Sequence, residues 1–283
     1  MLPTLATPPR HVPLSLRILN WFNGAALFGW VFFGFGMIFF WVFAGNADLS
    51  FLTFRGAHQR AMGKVTSVET SSASINHEHV MTNHYEFSVA GTPVHGKSYS
   101  TGSEVSAGDD VTIEYDAADP LRSRIAGMRR AMFGPWLMLV ALFPAIGVIV
   151  IFFSMKYGIK RNRLLRDGVL TTGKLVGKEA TNTTINDQRV YAFTFEFTAR
   201  DGRRGTVVAR TSQTRRMEDE SDEPLMYDPM DLERAYMLDE VPTRPQIDNG
   251  ELRGRPTAAL FALLLPVGSI GVHGFILWLK MIL

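Results

Sequence analysis

Cysteine is absent from all 283 residues. Disulfides, thiolate nucleophiles and cysteine-ligated zinc or iron–sulfur centres are thereby excluded together. An excess of one charge is also missing, since 29 Lys and Arg face 27 Asp and Glu for a net charge of +2. A dedicated nucleic-acid binder concentrates basic charge on one face, and nothing in this balance suggests that. The phosphate-binding, nucleophile-elbow, zinc-protease and dinucleotide-binding signatures do not occur either, which removes the common enzyme classes that carry them. Charge itself is missing from three long stretches. Residues 18–47, 131–155 and 256–279 contain no Asp, Glu, Lys or Arg. A bilayer-spanning helix needs about 20 predominantly apolar residues. The near-zero mean hydropathy of +0.05 therefore averages over a strongly segregated chain.

The composition predicts an integral membrane protein with spans at 18–47, 131–155 and 256–280, behind a short tail at 1–17. The first run carries Trp21 and Trp41 near its ends, where indole rings anchor at the headgroup level. It is too long for the h-region of a signal peptide and reads as a retained anchor. Its small residues, with Ala25 and Gly29 four apart, suit close helix packing, whether generic or as a dimer contact. Pro135 falls in the first turn of the second run. Pro144 is expected in mid-span, where it would kink the helix. The third run holds His273, either a neutral packing histidine or a proton-relay group. No other ionisable residue lies inside the spans, which argues against an ion-coupled transporter.

Three spans place the polar segments on alternate sides. Lys and Arg near the span ends number ten on the side of the N-terminus and seven on the other, Arg55 and Arg244 included. The bias predicts a cytoplasmic N-terminus, residues 48–130 outside and 156–255 in the cytoplasm. On this reading the Asn182-Thr183-Thr184 glycosylation pattern is cytoplasmic and idle. The five basic residues from Lys156 to Arg166 serve as a topology signal or engage anionic headgroups.

The polar segments contain an internal repeat. Gly63 and Glu86 are 23 positions apart, as are Gly173 and Glu196, and Tyr115 and Tyr227 follow at 52 and 54 positions from the glycines. Runs such as Tyr85–Val89, Val190–Phe197 and Val111–Tyr115 alternate with period two, the mark of strands with one buried face. Ala90-Gly91 and Asp201-Gly202 are hairpin turns, and Asp119-Pro120 and Asp228-Pro229 end strands. Two all-β domains are expected, at 56–127 and 166–242. Each is a small OB-like or SH3-like barrel of about five strands, because closure removes open edges.

The order of span, Gly-Lys-Val, aromatic-Glu-Phe strand, Gly turn and Val-x-x-x-Tyr-Asp-x-x-x-Pro resembles the membrane proteins grouped as domain of unknown function 3592. Residues 61–127 follow that pattern through Val111–Pro120. Residues 168–242 follow it more loosely, keeping Tyr227-Asp228-Pro229 but carrying Leu232 where the later proline would be. The likeness covers roughly half the chain. It implies a membrane-tethered β domain, and neither a reaction nor a cofactor.

Few residues suggest chemistry. His77, His79 and His84, with Glu78 and His95, could ligate a metal, with His77 and His79 on one strand face. A solvated hairpin tip explains the same residues, and the second copy has no histidine there. Glu114, Asp116 and Asp119, echoed by Asp228 and Asp231, could do acid–base work or bind calcium, but a strand end also calls for turn-capping carboxylates. Tyr115 and Tyr227 are expected to close the barrels. Arg203-Arg204, and Arg215-Arg216 beside the acidic run at 218–223, read as solvated loops. The expected function is a non-enzymatic interaction or scaffold module of a multi-pass, bacterial-type cell membrane protein. Its partners would be the lipid bilayer and a protein or a second copy through the Gly-rich spans, with no nucleic acid and no cofactor. A pH- or metal-responsive envelope sensor or transport accessory is the alternative, and a membrane enzyme the third.

Overall fold

Residues 5–54, 58–212, 214, 222–238, 243 and 245–282 are described by a computed structural model. Arg55, Arg215, Arg216, Arg244 and residues 218–221 of the acidic run lie outside them. The chain divides into two units, Met1–Gly34 with Ile146–Leu283, and Phe35–Ala145.

Among the described residues, five α-helices and twelve strands follow in order. Helices α1 (Leu14–Trp21), α2 (Gly24–Val42) and α3 (Ser50–Thr53) precede strands β1 (His58–Ile75), β2 (Glu78–Val89), β3 (Thr92–Thr101), β4 (Asp110–Asp116) and β5 (Ser123–Ile125). Helix α4 (Leu142–Asp167) leads to β6 (Val169–Ile185), β7 (Gln188–Thr198), β8 (Arg204–Thr211), β9 (Asp222–Asp228) and β10 (Asp231–Met237). A small hairpin of β11 (Gln246–Asp248) and β12 (Glu251–Arg253) precedes α5 (Pro256–Ile282).

Three helical segments, Gly24–Asn46, Pro135–Asp167 and Pro256–Ile282, are long and apolar enough to cross a membrane. Their large side chains, Phe28, Phe35, Ile149, Phe152, Phe261 and Ile270 among them, are exposed rather than packed. The first apolar run is not one helix. It breaks after Trp21, and Asn23 caps the new helix by accepting the N–H groups of Ala25 and Ala26 at 3.0 and 3.2 Å. The expected mid-span kink at Pro144 is also corrected. Pro135–Ala141 forms a 3-10 helix and Pro144 stands in the first turn of α4, where a missing N–H breaks no bond. A further proline inside a span is Pro266, within α5. The second span also runs twelve residues beyond Met155, carrying its basic tail as helix to Asp167.

Small residues let these helices touch. A methyl group added at Gly29 would sit 3.0 Å from the Gly147 carbonyl oxygen, so α2 and α4 cross backbone to backbone there. At Gly34 the same atom would meet Ser269 Oγ at 2.7 Å, which marks the contact of α2 with α5. Gly268, Gly271 and Gly274 face open space.

Each β region is a five-stranded antiparallel sheet, ordered β3-β2-β1-β4-β5 and β10-β9-β6-β7-β8. The second is nearly barrel-shaped, with β8 and β10 side by side. In the first, the edges meet where Tyr99 and Arg129 exchange backbone hydrogen bonds and Ser98 Oγ accepts the Ile125 N–H at 2.8 Å. The pairing registers agree residue by residue. Every pair recorded for β1 and β2, from Gly63 with Phe87 to Ile75 with Glu78, has its counterpart 110 positions later, from Gly173 with Phe197 to Ile185 with Gln188. Bulges follow Val65 and Leu175 alike, and Thr70 and Ala180 alike. The hairpin tips Asn76-His77 and Asn186-Asp187 both have positive φ at both residues, the geometry that lets a two-residue turn match strand twist. Tyr115 pairs with Gln59 on β4–β1, and Tyr227 with Val169 on β9–β6.

Aromatic and branched side chains fill both interiors. Val65, Tyr85, Phe87, Ile113 and Tyr115 lead one core, and Phe193, Phe195, Phe197, Leu225 and Tyr227 the other. Both tyrosines expected to close the barrels are buried, and their hydroxyls are used. Tyr115 donates to Gln59 Oε1 at 2.7 Å, and Tyr227 Oη accepts the Arg200 N–H at 2.9 Å.

The outer faces differ at one row. In the first sheet Arg60, Glu114 and Arg124 stand side by side on β1, β4 and β5; in the second the equivalent residues are Leu170, Met226 and Tyr236. The apolar row packs with Val12, Leu16, Leu164, Leu165 and Leu252 and so docks sheet to helices by burial. The charged row docks by pairing. Glu114 lies 3.0 Å from both guanidinium groups, and Arg124 also donates to Ser50 Oγ at 3.2 Å and lies over the Phe54 ring at 5.1 Å.

Candidate functional site

The helical tail of α4, Lys156 to Arg166, winds basic side chains around its last three turns, and Arg166 in the final turn is favoured by the helix dipole. Against it lies α1, whose Leu16 and Asn20 are buried while Arg17 is exposed. Close approach is possible because residue 158 is glycine, with Asn20 and Trp21 backbone where a side chain would be. Between the two helices opens a cleft of about 440 Å³ lined by Arg10, His11, Val12, Arg17, Trp21, Ile159, Asn162, Arg163 and Arg166. Among the described residues, four arginines and a histidine line it and no carboxylate does.

These residues are held differently. Arg10 is buried, and its guanidinium caps the end of α4, donating to the carbonyls of Leu165 at 3.0 Å, Gly168 at 2.8 Å and Ala6 at 2.9 Å. Its own backbone N–H bonds the Arg166 carbonyl at 2.9 Å. Burial lowers its pKa from the ordinary arginine value, with nearby Asp167 opposing and Arg200 adding to the shift. Arg166 is occupied by Asp167 at 2.9 Å. Arg17 lies 5.5 Å from the centre of the Trp21 ring, a cation–π distance. Arg163 is exposed, and its charge helps Arg166 hold the Asp167 carboxyl below its ordinary pKa. Trp21 Nε1 is shielded and meets no acceptor among the described residues.

A buried amide network fixes the floor. Asn20, 0% exposed, donates to Asn162 Oδ1 at 2.7 Å and accepts from Thr243 Oγ1 at 3.3 Å, and Asn162 donates to the Arg17 carbonyl at 3.3 Å. Asn20→Leu leaves the Asn162 and Thr243 groups without partners. A loss of about 2 kcal/mol is expected, read as a lower unfolding midpoint of the purified protein. An unchanged midpoint would mean that water replaces the amide without cost.

The residues singled out in the sequence are not gathered into one site. His77 is not on a strand: it is the second residue of the β1–β2 turn, with φ 71°. The face it was expected to share with His79 does not exist. His79 and His84 are both on β2, five residues apart and therefore on opposite faces. His84 Nε2 lies 3.8 Å from Glu69, and His95 Nδ1 4.0 Å from Glu86. Among the described residues no three His, Asp or Glu side chains are grouped to hold a metal ion. Glu114 is taken up by its two arginines, whose hydrogen bonds and charges outweigh burial and hold its pKa below the ordinary value. Asp116 and Asp228 each cap their own turn, accepting the Ala118 and Met230 N–H groups. Asp119 pairs with Arg122, and Asp231 with Arg234. Arg203 pairs with Asp201, and Arg204 with Glu196. His273 is buried, with Nε2 3.0 Å from the Gly34 carbonyl oxygen. A carbonyl only accepts, so Nε2 carries the proton.

Sequence reasoning found the basic tail of α4 and missed its complement. Arg10 and Arg17 entered it only as charges near a span. The available signal was the spacing of Arg17 and Trp21, one helical turn apart just ahead of a capping asparagine. No model of a known protein family matches the chain, and no curated protein matches it either.

Proposed function

We propose that this chain is a multi-pass membrane protein, N-terminus in the cytoplasm, that displays two copies of one non-enzymatic recognition module. The carrying observation is the pairing register shared by the two sheets, bulge for bulge and turn for turn. Such agreement supports duplication of a unit of the domain-of-unknown-function-3592 kind, built as a small, partly open barrel of OB or SH3 character. The filled interiors support recognition by outer surfaces, since a barrel packed with side chains offers no room inside for a ligand. The main carboxylates, engaged by arginines or their own turns, favour binding over catalysis.

Membrane insertion has support beyond helix length. Around the 3-10 helix and α3, Leu49, Phe51, Leu52 and Trp136 are exposed large hydrophobics, the side-chain types that settle at a bilayer interface. The partners on this reading are the bilayer and a protein or a second copy, which could approach through the open glycine face of α5. A pH-responsive sensor is the second reading. It is favoured by His84 beside Glu69, a contact that becomes an ion pair only when the histidine is protonated.

Topology tests the proposal. Without native cysteines, single cysteines at Ser74 and Thr183 each report one site. A membrane-impermeant thiol reagent is expected to label Ser74→Cys in intact cells and Thr183→Cys only after permeabilisation. Labelling of both in intact cells would overturn the three-span arrangement.

A further inference from the structure

We propose that the cleft between α1 and the end of α4 binds the phosphate oxyanion of an anionic phospholipid headgroup, one with no choline cation to meet the arginines. Its charge is unbalanced in a particular way. Of its four arginines, Arg10 is committed to helix-end carbonyls and Arg166 to Asp167, while Arg17 and Arg163 are exposed, Arg163 feeling the Asp167 charge that Arg166 already pairs. Two guanidinium groups on facing walls suit a phosphate better than a carboxylate, because a phosphate offers oxygens in several directions. The remaining walls, Val12, Trp21 and Ile159, are apolar and suit a glycerol backbone and the first carbons of an acyl chain. The volume of about 440 Å³ is ample for one headgroup.

Position along the helices points to a lipid source. The apolar stretch of α2 begins at Gly24 and that of α4 ends at Met155, and the Trp21–Gly158 contact lies just beyond both. At about 1.5 Å rise per residue, Ile159 is about 6 Å and Arg163 about 12 Å past Met155. The headgroup layer is about 5–8 Å deep on each side of the hydrocarbon, and a long arginine reaches back toward it. Trp21, stacked with Arg17, is of the residue type that anchors at this level. The assignment to lipid, though not the anion site itself, depends on the membrane-spanning reading given above.

The experiment uses the full chain in nanodiscs of phosphatidylcholine, with and without phosphatidylglycerol, and counts retained phosphatidylglycerol by native mass spectrometry. The wild type is expected to retain it. Loss of one arginine should weaken retention roughly fivefold, and Arg17→Gln with Arg163→Gln roughly 25-fold. Arg17→Lys with Arg163→Lys, which keeps the charge, should restore most of it. Arg203→Gln with Arg204→Gln, elsewhere on the surface, should leave it unchanged. In phosphatidylcholine discs titrated with inorganic phosphate, absence of binding assigns the site to lipid. Saturable binding abolished by the Arg17/Arg163 pair keeps the oxyanion site and reassigns its source to free phosphate. Equal retention by wild type and the Arg17→Gln/Arg163→Gln protein overturns the proposal, as does an equal loss in the Arg203/Arg204 control. Either result leaves the thiol-labelling test of topology intact, so the two ideas fail separately.

Discussion

Arg10→Ala is expected to destabilise the protein by about 3 kcal/mol, more than an ordinary surface change by a wide margin. The side chain supplies three hydrogen bonds to carbonyls, two of them at the end of α4, and all come from a charged donor with little access to water. Alanine leaves those carbonyls unsatisfied and removes a cation from the negative end of the helix. Arg10→Lys separates the two contributions. It keeps the charge but cannot present a planar fork to several carbonyls at once, so about half the loss should remain. Unfolding midpoints of the three proteins in one detergent check this order. If Arg10→Ala melts with the wild type, water already serves those carbonyls and the cap is idle.

The second large effect concerns the charged row of the first sheet. Glu114→Ala leaves Arg124 partly buried without its counter-ion, and a loss of about 2–3 kcal/mol is expected. The figure stays below that for a fully buried triad because the Arg60 side chain is 70% exposed. Replacing all three members by their counterparts from the second sheet, Arg60→Leu, Glu114→Met and Arg124→Tyr, should recover most of the loss, since apolar packing often equals a buried ionic cluster. A triple variant less stable than Glu114→Ala would show that the contacts of Arg124 with Ser50 and Phe54 dominate instead. The pH dependence has a definite sign. The folded pKa of Glu114 lies below its unfolded value, so the contribution is complete above the unfolded carboxylate range of about 4.3 and disappears as pH falls through the folded value. Wild type should therefore lose stability below about pH 4.3 more steeply than Glu114→Gln. Parallel profiles would mean that the carboxylate titrates alike in both states.

What the sequence revealed and what it hid divide along a physical line. Strand alternation, charge-free runs and the recurring Tyr-Asp pair are local or periodic, so they locate the three apolar helices and both sheets. The Asn249-Gly250 turn between β11 and β12 is equally local, with φ of 49° and 83°. Contacts between distant residues leave no such trace. Arg10 meets Leu165 and Gly168, Asn20 meets Asn162 and Thr243, and no spacing rule predicts either. The replacement of Glu114 by Met226 was visible in the alignment of the two copies. Its meaning was not, because only the fold shows that the row faces α3 in one unit and α1 with α4 in the other. The break at Phe22 and Asn23 was hidden by composition, since neither residue interrupts a charge-free run.

Helix α4 ends at Asp167 and strand β6 begins at Val169, so a single residue, Gly168, joins them. Its N–H bonds back to the Leu164 carbonyl at 2.7 Å, and its own carbonyl is held by Arg10 at 2.8 Å. A joint of this kind has no slack. Any rotation or piston movement of the helix would be handed to the first strand of the sheet as through a rigid coupling, and a load on the sheet would return to the helix the same way.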